Sequence, residues 1–460
     1  MSKLFEEFRT AMNDCNGNLL SQCITPINPS YDSDRLQSFY EASDASGVET
    51  DIRYEIIYHR DIDLPKDEKR IWLDIFVLYW KAVAVMQTSE DFMHTGIATT
   101  NWNKVYVVWK EVANAVLQGF QKEFIHVWAI PCLYVVGKYL RVFAIKADRQ
   151  FADLPTNGFQ NALLNAFGDL IGKHDNLEDS ARQINRIFSL CIGDRNSLDV
   201  SRKWAIYYTA NLLFKTYFKL SSFNLAKNIL KSFAAAKDDL PPLGSFPKAQ
   251  QVTFLYHAGI VYCIEEDYSK AEEHLFEAFR QCHKDAHRNK ELILTYLIPI
   301  HLLTSHQIPS AALLASYPRI QSLLGPIITA VRQGDLKTFD ATMRRELVNL
   351  TRLRIFLTVE RSRDILIRNL IRKVYLLGGY EDLREGQTEA DRVLRSRIPI
   401  SEIQAALHFS LGYEEDMLDS DEVEQLLANM IYKNHMKGYI ARDRGILVLN
   451  KKGAFPGTGA

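Results

Sequence analysis

Leu418–Pro456, LDSDEVEQLLANMIYKNHMKGYIARDRGILVLNKKGAFP, is the stretch whose reading decides the fold. Val423, Leu426, Leu427, Met430 and Ile431 recur at helical spacing and predict an amphipathic helix of about four turns. Asp421 with Glu424 reads as a capping box at its start, and Gly438 as a left-handed cap at its end. Tyr439–Arg442 and Ile446–Leu449 are β-prone segments on either side of Asp443-Arg444-Gly445, a loop whose glycine accepts positive φ, so a hairpin should follow. Helix, tight turn and β-ribbon together make the last part of a winged helix.

The segments upstream supply the rest. Ser401 and Gln404 read as a second capping box opening a short helix with Ile403, Ala406, Leu407 and Phe409 inward. Before it, Ile365–Leu377 carries Leu366, Leu370, Val374 and Leu377 on one face and stops at Gly378-Gly379. Further back, Leu255, Ala258, Gly259, Tyr262, Ala271, Leu275 and Ala278 fall at the offsets of a tetratricopeptide unit, where small residues let two helices approach closely. Ala210, Phe214, Tyr217, Ala226, Leu230 and Phe233 form a weaker copy, and Asp238–Pro247 separates the two. Such hairpins cannot bury their apolar faces alone, so they stack into a solenoid. Leu292–Ile308, Ala311–Tyr317 and Ile328–Leu357 continue it into the winged helix without a linker.

The N-terminal part is helical as well. Leu4, Phe5, Phe8, Ala11 and Met12 stripe an opening helix that Asn16-Gly17 should end. Trp72, Ile75, Phe76 and Tyr79, then Val105, Val108, Trp109, Val112 and Val116, then Tyr134, Val135, Leu140 and Phe143 are further stripes, read as interhelical packing. Gln150–His174 reads as a long loop or a poorly ordered insert. The expected fold is all-α: a TPR-like solenoid of helical hairpins capped by a C-terminal winged helix with a small β-hairpin wing. The expected divisions are 1–49 (helix and loose lead-in), 50–200 (helical region), 201–354 (repeats), 355–456 (winged helix) and 457–460 (tail).

Composition narrows the function classes. With 47% hydrophobic residues the chain of 460 residues can bury a sizeable core. A formal charge of -1 and a pI near 6.9 exclude a histone-like, tail-driven nucleic-acid binder, so electrostatic binding must come from a local patch. Six cysteines with no Cys-x-x-Cys pair suit a reducing compartment. Glu6, Glu7 and Arg9 in the first ten residues predict no secretory signal. Val127–Ile145, interrupted by Pro131, Lys138 and Arg141, reads as a buried helix and not as a membrane span.

At Arg368-Asn369-Leu370-Ile371-Arg372-Lys373-Val374-Tyr375, Asp421-Glu422-Val423, Leu427-Ala428-Asn429-Met430-Ile431-Tyr432, Lys437-Gly438-Tyr439-Ile440 and Phe455-Pro456 the sequence resembles the PCI-domain-containing protein 2 family. That family includes the PCI subunit of the TREX-two mRNA-export complex and COP-nine signalosome subunit twelve. The ending Lys451-Lys452-Gly453-Ala454-Phe455-Pro456 is most similar to the signalosome branch, and the likeness extends back to about Lys203, where Lys203-Trp204-Ala205-Ile206-Tyr207-Tyr208 also matches. The resemblance implies a nuclear complex, with the cytoplasm left open, that couples transcription to mRNA processing or export. It also implies two partners: a second PCI-domain subunit held through winged-helix pairing, and the small acidic disordered protein shared with the proteasome lid.

Chemistry is absent from the pattern. There is no phosphate-binding glycine loop, no Gly-x-Ser-x-Gly, no His-Glu-x-x-His and no His-x-His, so no catalytic residue, metal or cofactor is assigned. Cys282, His283 and His287, with His301 and His306 nearby, come closest to a metal cluster and are read as a solvated helix end. Glu414, Glu415, Asp416, Asp419, Asp421, Glu422 and Glu424 read as negative charge favoured at a helix N-terminus. What remains is binding. Lys433, His435, Lys437, Arg442, Arg444, Lys451 and Lys452, with Asn429 and Tyr432 on the helix, are the candidate RNA- or DNA-binding surface. Arg344, Arg345, Arg352, Arg354, Arg361, Arg363, Arg368, Arg372 and Lys373 form a second basic group that would meet a partner or nucleic acid. The alternative reading is an accessory signalosome subunit that binds protein and no nucleic acid.

Overall fold

Phe5 and Phe8 stand on one face of α1 (Ser2–Asn13), and their rings pack against Phe39, Trp72 and Phe76 with centroids 5.0–6.5 Å apart. This aromatic cluster opens the first of two compact units, Met1–His257 and Ala258–Ala460, of the computed structural model, which describes residues 2–58, 64–94, 101–152, 174–381, 394–412, 418–451 and 453–458. Asn16-Gly17 is a start, not only a stop. Cys15 turns the chain at φ 49, and the Asn16 side chain accepts from Leu19 N at 3.1 Å to cap α2 (Gly17–Cys23).

In the first unit α3 (Arg35–Glu41) and α4 (Val48–Arg53) lie on α5 (Lys66–His94), which packs on α6 (Trp102–Gln121), and α6 on α7 (Ile130–Ala152). Of the predicted stripe residues, Trp72, Ile75, Phe76, Tyr79, Val105, Trp109, Val112, Val116, Leu140 and Phe143 are buried, and Val108, Tyr134 and Val135 are half-buried. By length and composition Val127–Gln150 could cross a membrane; here α7 packs on α2, α6 and α8 (Asp175–Ile192). Asp148 of α7 accepts from Asn176 N and Leu177 N, so a neighbouring helix satisfies the first amides of α8. Residues 153–173, the core of the expected insert, lie outside the described residues. Near the following turn a buried Asp194 accepts from Ser201 Oγ, Arg202 N, Arg202 Nε and Arg202 Nη2, which holds its carboxyl well below the usual carboxylate range despite burial. The first repeat hairpin, α9 (Ile206–Lys219) and α10 (Phe223–Ala235), follows.

The unit boundary falls within α11 (Lys248–Ile264). α11 and α12 (Tyr268–Gln281) form the second repeat hairpin, and a Cβ at Gly259 would come within 2.6 Å of Leu275, the close approach that the small residue permits. The two hairpins turn alike: Ser221 and Glu266 take positive φ immediately before Ser222 and Asp267, the residues that precede the second helix. α13 (His287–Thr304), α14 (Ala311–Ala315), α15 (Pro318–Gln333), α16 (Leu336–Arg345), α17 (Leu347–Leu353) and α18 (Phe356–Leu377) continue, joined by short turns.

The winged helix closes the second unit. β1 (Arg397–Pro399), α19 (Ile400–Leu411), α20 (Ser420–Tyr432), β2 (Gly438–Ala441) and β3 (Ile446–Leu449) follow in order, and the antiparallel sheet runs β1-β3-β2. Ser410 of α19 fastens it to the preceding helices: its hydroxyl donates to Gly334 O at 2.7 Å and accepts from Leu336 N at 2.8 Å. Gly334, at φ 69 and with Leu370 Cβ only 2.9 Å from a hypothetical Cβ, can be nothing larger.

Several local expectations change. The capping box is Asp419 with Glu422, because those carboxylates reach the amides of the helix as it starts at Ser420. α19 has Pro399 before it and no side-chain cap; Gln404 instead donates to Leu418 O, as His408 Nε2 does at 3.0 Å, pinning the entry to α20. Leu377 is 85% and Phe409 74% exposed: α18 buries Ile367, Ile371 and Tyr375, and α19 buries Ile403, Leu407 and Ser410, so neither residue lies on its helix's buried face. Gly438 is no helix cap. α20 ends at Tyr432, Asn434 takes the left-handed turn at φ 57, and Gly438 is small because a Cβ there would overlap the Val448 carbonyl oxygen across the ladder.

Candidate nucleic-acid interface

α20 turns Val423, Leu427 and Met430 into the core and leaves Gln425, Asn429 and Tyr432 in solvent, with Tyr432 89% exposed. Its first turn carries the exposed acids Asp421 and Glu422, beside the cap Asp419.

The cations predicted to crowd the helix end and wing meet different fates. Lys433 donates to Asp364 of α18 at 2.6 Å. Arg442, in the turn of the wing, reaches Asp421 at 3.2 Å and Glu424 at 3.4 Å, and Lys451 lies 3.6 Å from Glu381. His435 is half-buried with its ring 5.5 Å from that of His306, and its Nδ1 has no hydrogen-bond partner among the described residues. Burial, then the neighbouring His306, lowers its pKa. Lys437 and Arg444 are exposed and make no ion pair among the described residues. Lys452 lies outside the described residues.

The second basic group is divided: Arg344, Arg345, Arg352, Arg361 and Lys373 are exposed, Arg354, Arg363 and Arg372 are half-buried and Arg368 is buried. Arg345 pairs with Glu346 (3.1 Å), Arg361 with Glu266 (2.5 Å) and Arg363 with Asp340 (3.3 Å), and Lys373 donates to Gln333 O at 2.7 Å. Arg354 sits at φ 60 as the C-cap of α17, and Arg352 on its last turn is exposed. Arg368 is 4% exposed, with Nε and Nη1 unpartnered, and burial followed by the charge of Arg372 lowers its pKa; Arg372 is itself half-buried. Arg344 is exposed and makes no ion pair among the described residues. Acids neutralise Arg345, Arg361 and Arg363, a carbonyl holds Lys373 and the core takes Arg368, so the charge of the group is partly satisfied within the fold.

Sequence reasoning missed Arg397. The ladder pairs Val448 with both Arg397 and Tyr439, so the three lie in one row across the sheet, on the face opposite the buried Ile398 and Leu447. Arg397 is exposed without an ion pair among the described residues, and Tyr439 is 62% exposed. The signal was available only as alternation: buried Ile398 between two polar-side positions, in a strand too short to stand out.

No group of three or more His, Cys, Asp or Glu side chains among the described residues could hold a metal ion. Cys282 is buried at the end of α12, and His283 faces Asp285 at 3.6 Å.

Residues 341–451 match the PCI domain. Over the whole of both chains the sequence is 46% identical to a Protein CSN12 homolog of Neurospora crassa and 44% identical to one of Gibberella zeae. The chain belongs to the PCI-domain family of CSN12 homologues. PCI domain-containing protein 2 of Xenopus laevis is 33% identical over 75% of this chain and 77% of its own length, so the family reaches into vertebrates. The PCI match begins within α16 and ends just beyond β3, spanning the helices that lead into the winged helix as well as the winged helix itself.

Proposed function

We propose that the protein is a non-enzymatic PCI scaffold subunit of a nuclear complex coupling transcription to mRNA processing or export, and that its winged helix contributes part of an RNA- or DNA-binding surface. The observation that supports this most is the set of exposed cations with no acid partner among the described residues, Lys437, Arg444 and Arg397, all on the winged helix. A second PCI subunit, paired through its own winged helix, would extend that surface. A small acidic disordered chain would lie on the helical repeats, folding as it binds. The second reading, an accessory signalosome subunit that touches no nucleic acid, is favoured by the names of the full-length relatives, CSN12 homologues.

The test is a salt titration of RNA and duplex DNA binding by the chain co-purified with its partners, beside Lys437→Glu/Arg444→Glu. These two positions are chosen because reversal at Lys433 or Arg442 would set a new acid against Asp364 or Asp421 and disturb the fold itself. The expected result is a steep salt dependence that flattens in the variant while the assembly stays intact. Equal binding by both proteins, or none by either, favours the second reading.

A further inference from the structure

We propose that the ligand of the winged helix is single-stranded nucleic acid and that it lies across the outer face of the sheet, with a base stacked on Tyr439 and phosphates on Arg397 and Lys437. This rests on the reading that the winged helix contacts nucleic acid at all.

The sheet face has the required composition. Arg397, Val448 and Tyr439 form one cross-strand row, with Val448 half-buried between an exposed cation and an exposed ring. Lys437 continues the ladder one residue before β2, where Lys437 O accepts from Asn450 N at 3.0 Å, so its side chain falls on the same face as that of Tyr439 two residues on. An aromatic ring flanked by cations on an exposed sheet face is a platform for unpaired bases, whose faces are open; in a duplex those faces are already stacked on one another.

The helix side has the wrong charge for the other geometry. A winged helix that reads a duplex groove puts the N-terminal part of its recognition helix among phosphates and bases. In α20 that part carries the exposed Asp421 and Glu422 after the cap Asp419, and Arg442, the nearest cation of the wing, is already bound to Asp421 and Glu424. Phosphates brought there would meet carboxylates.

The experiment uses the full chain with single-stranded RNA, single-stranded DNA and duplex DNA of one sequence, the single strands carrying 2-aminopurine as a stacking reporter. Tyr439→Ala should weaken single-strand binding about tenfold and abolish the quenching of the reporter. Tyr439→Phe should retain both, and duplex should compete poorly. Full binding and quenching by Tyr439→Ala, or duplex binding as tight as single-strand binding, would overturn the proposal while leaving nucleic-acid contact in place. Loss of the second PCI subunit from Tyr439→Ala would make the face a protein interface and also overturn it. Failure of the wild-type chain to bind any of the three at low salt would sink the underlying reading as well.

Discussion

The helix side and the sheet side of the winged helix hold similar side chains and use them differently. Around α20, charges are consumed within the fold: Lys433 by Asp364, Arg442 by Asp421 and Glu424, and the cap acids by helix amides. On the sheet side Arg397, Lys437 and Tyr439 face solvent, and neither cation has an acid among the described residues. A count of basic residues along the chain cannot separate the two sides. What separates them is whether a carboxylate from another element lies within reach.

The difference can be broken most severely at Gly438. Gly438→Ala forces a Cβ against the Val448 backbone, so β2 must leave β3; the expected loss is about 2 kcal/mol or more in chemical denaturation, with single-strand binding lost alongside. Reversing charge on the sheet side alone, Arg397→Glu with Lys437→Glu, should leave the melting temperature near wild type and reduce single-strand affinity on the order of tenfold or more at low salt. On the helix side the sensitive variable is pH. Burial lowers the pKa of both His435 and His306 from 6.5, so as pH falls below that value the unfolded chain takes up protons before the folded one does. Stability of the second unit should therefore decline below about pH 6.5 and be insensitive to His protonation above it, and His435→Phe should reduce the decline in denaturation curves at about pH 5.5 against about pH 7.5, roughly one unit either side of the ordinary imidazole value. Lys433→Met removes a half-exposed ion pair and should change stability by less than about 1 kcal/mol. Asp421→Asn with Glu424→Gln should move single-strand affinity by less than about twofold, whereas a helix that enters a groove would bind far more tightly once its acids were gone.

The fold was legible where periodicity and local turn chemistry act alone. The paired positions Ala226 and Ala271, the close approach at Gly259 and the αL turn at Gly445 follow from spacing and residue type, and they stand as read. Ambiguity began where two adjacent residues could do the same job: Asp419 and Asp421 are both good caps, and only the path of the chain from Leu418, held by Gln404 and His408, selects the first. Gly438 was legible as special but not as to why, since its neighbour is the backbone of a strand ten residues on. The candidate site was least legible because its electrostatics are long-range. Lys433 and Asp364 are 69 positions apart, and Arg361 and Glu266 are 95 apart, so no local pattern distinguishes a neutralised cation from a free one. Arg397 escaped for the same reason, joining Tyr439 only through β3.

The most direct measurement is ultraviolet cross-linking of the full chain, with its partners, to single-stranded RNA, followed by mass spectrometry of the nucleotide-bearing peptides. The account predicts adducts on the peptides that contain Tyr439 and Arg397. Adducts confined to the α20 face around Asn429 and Tyr432, or to the helices before the winged helix, would contradict it.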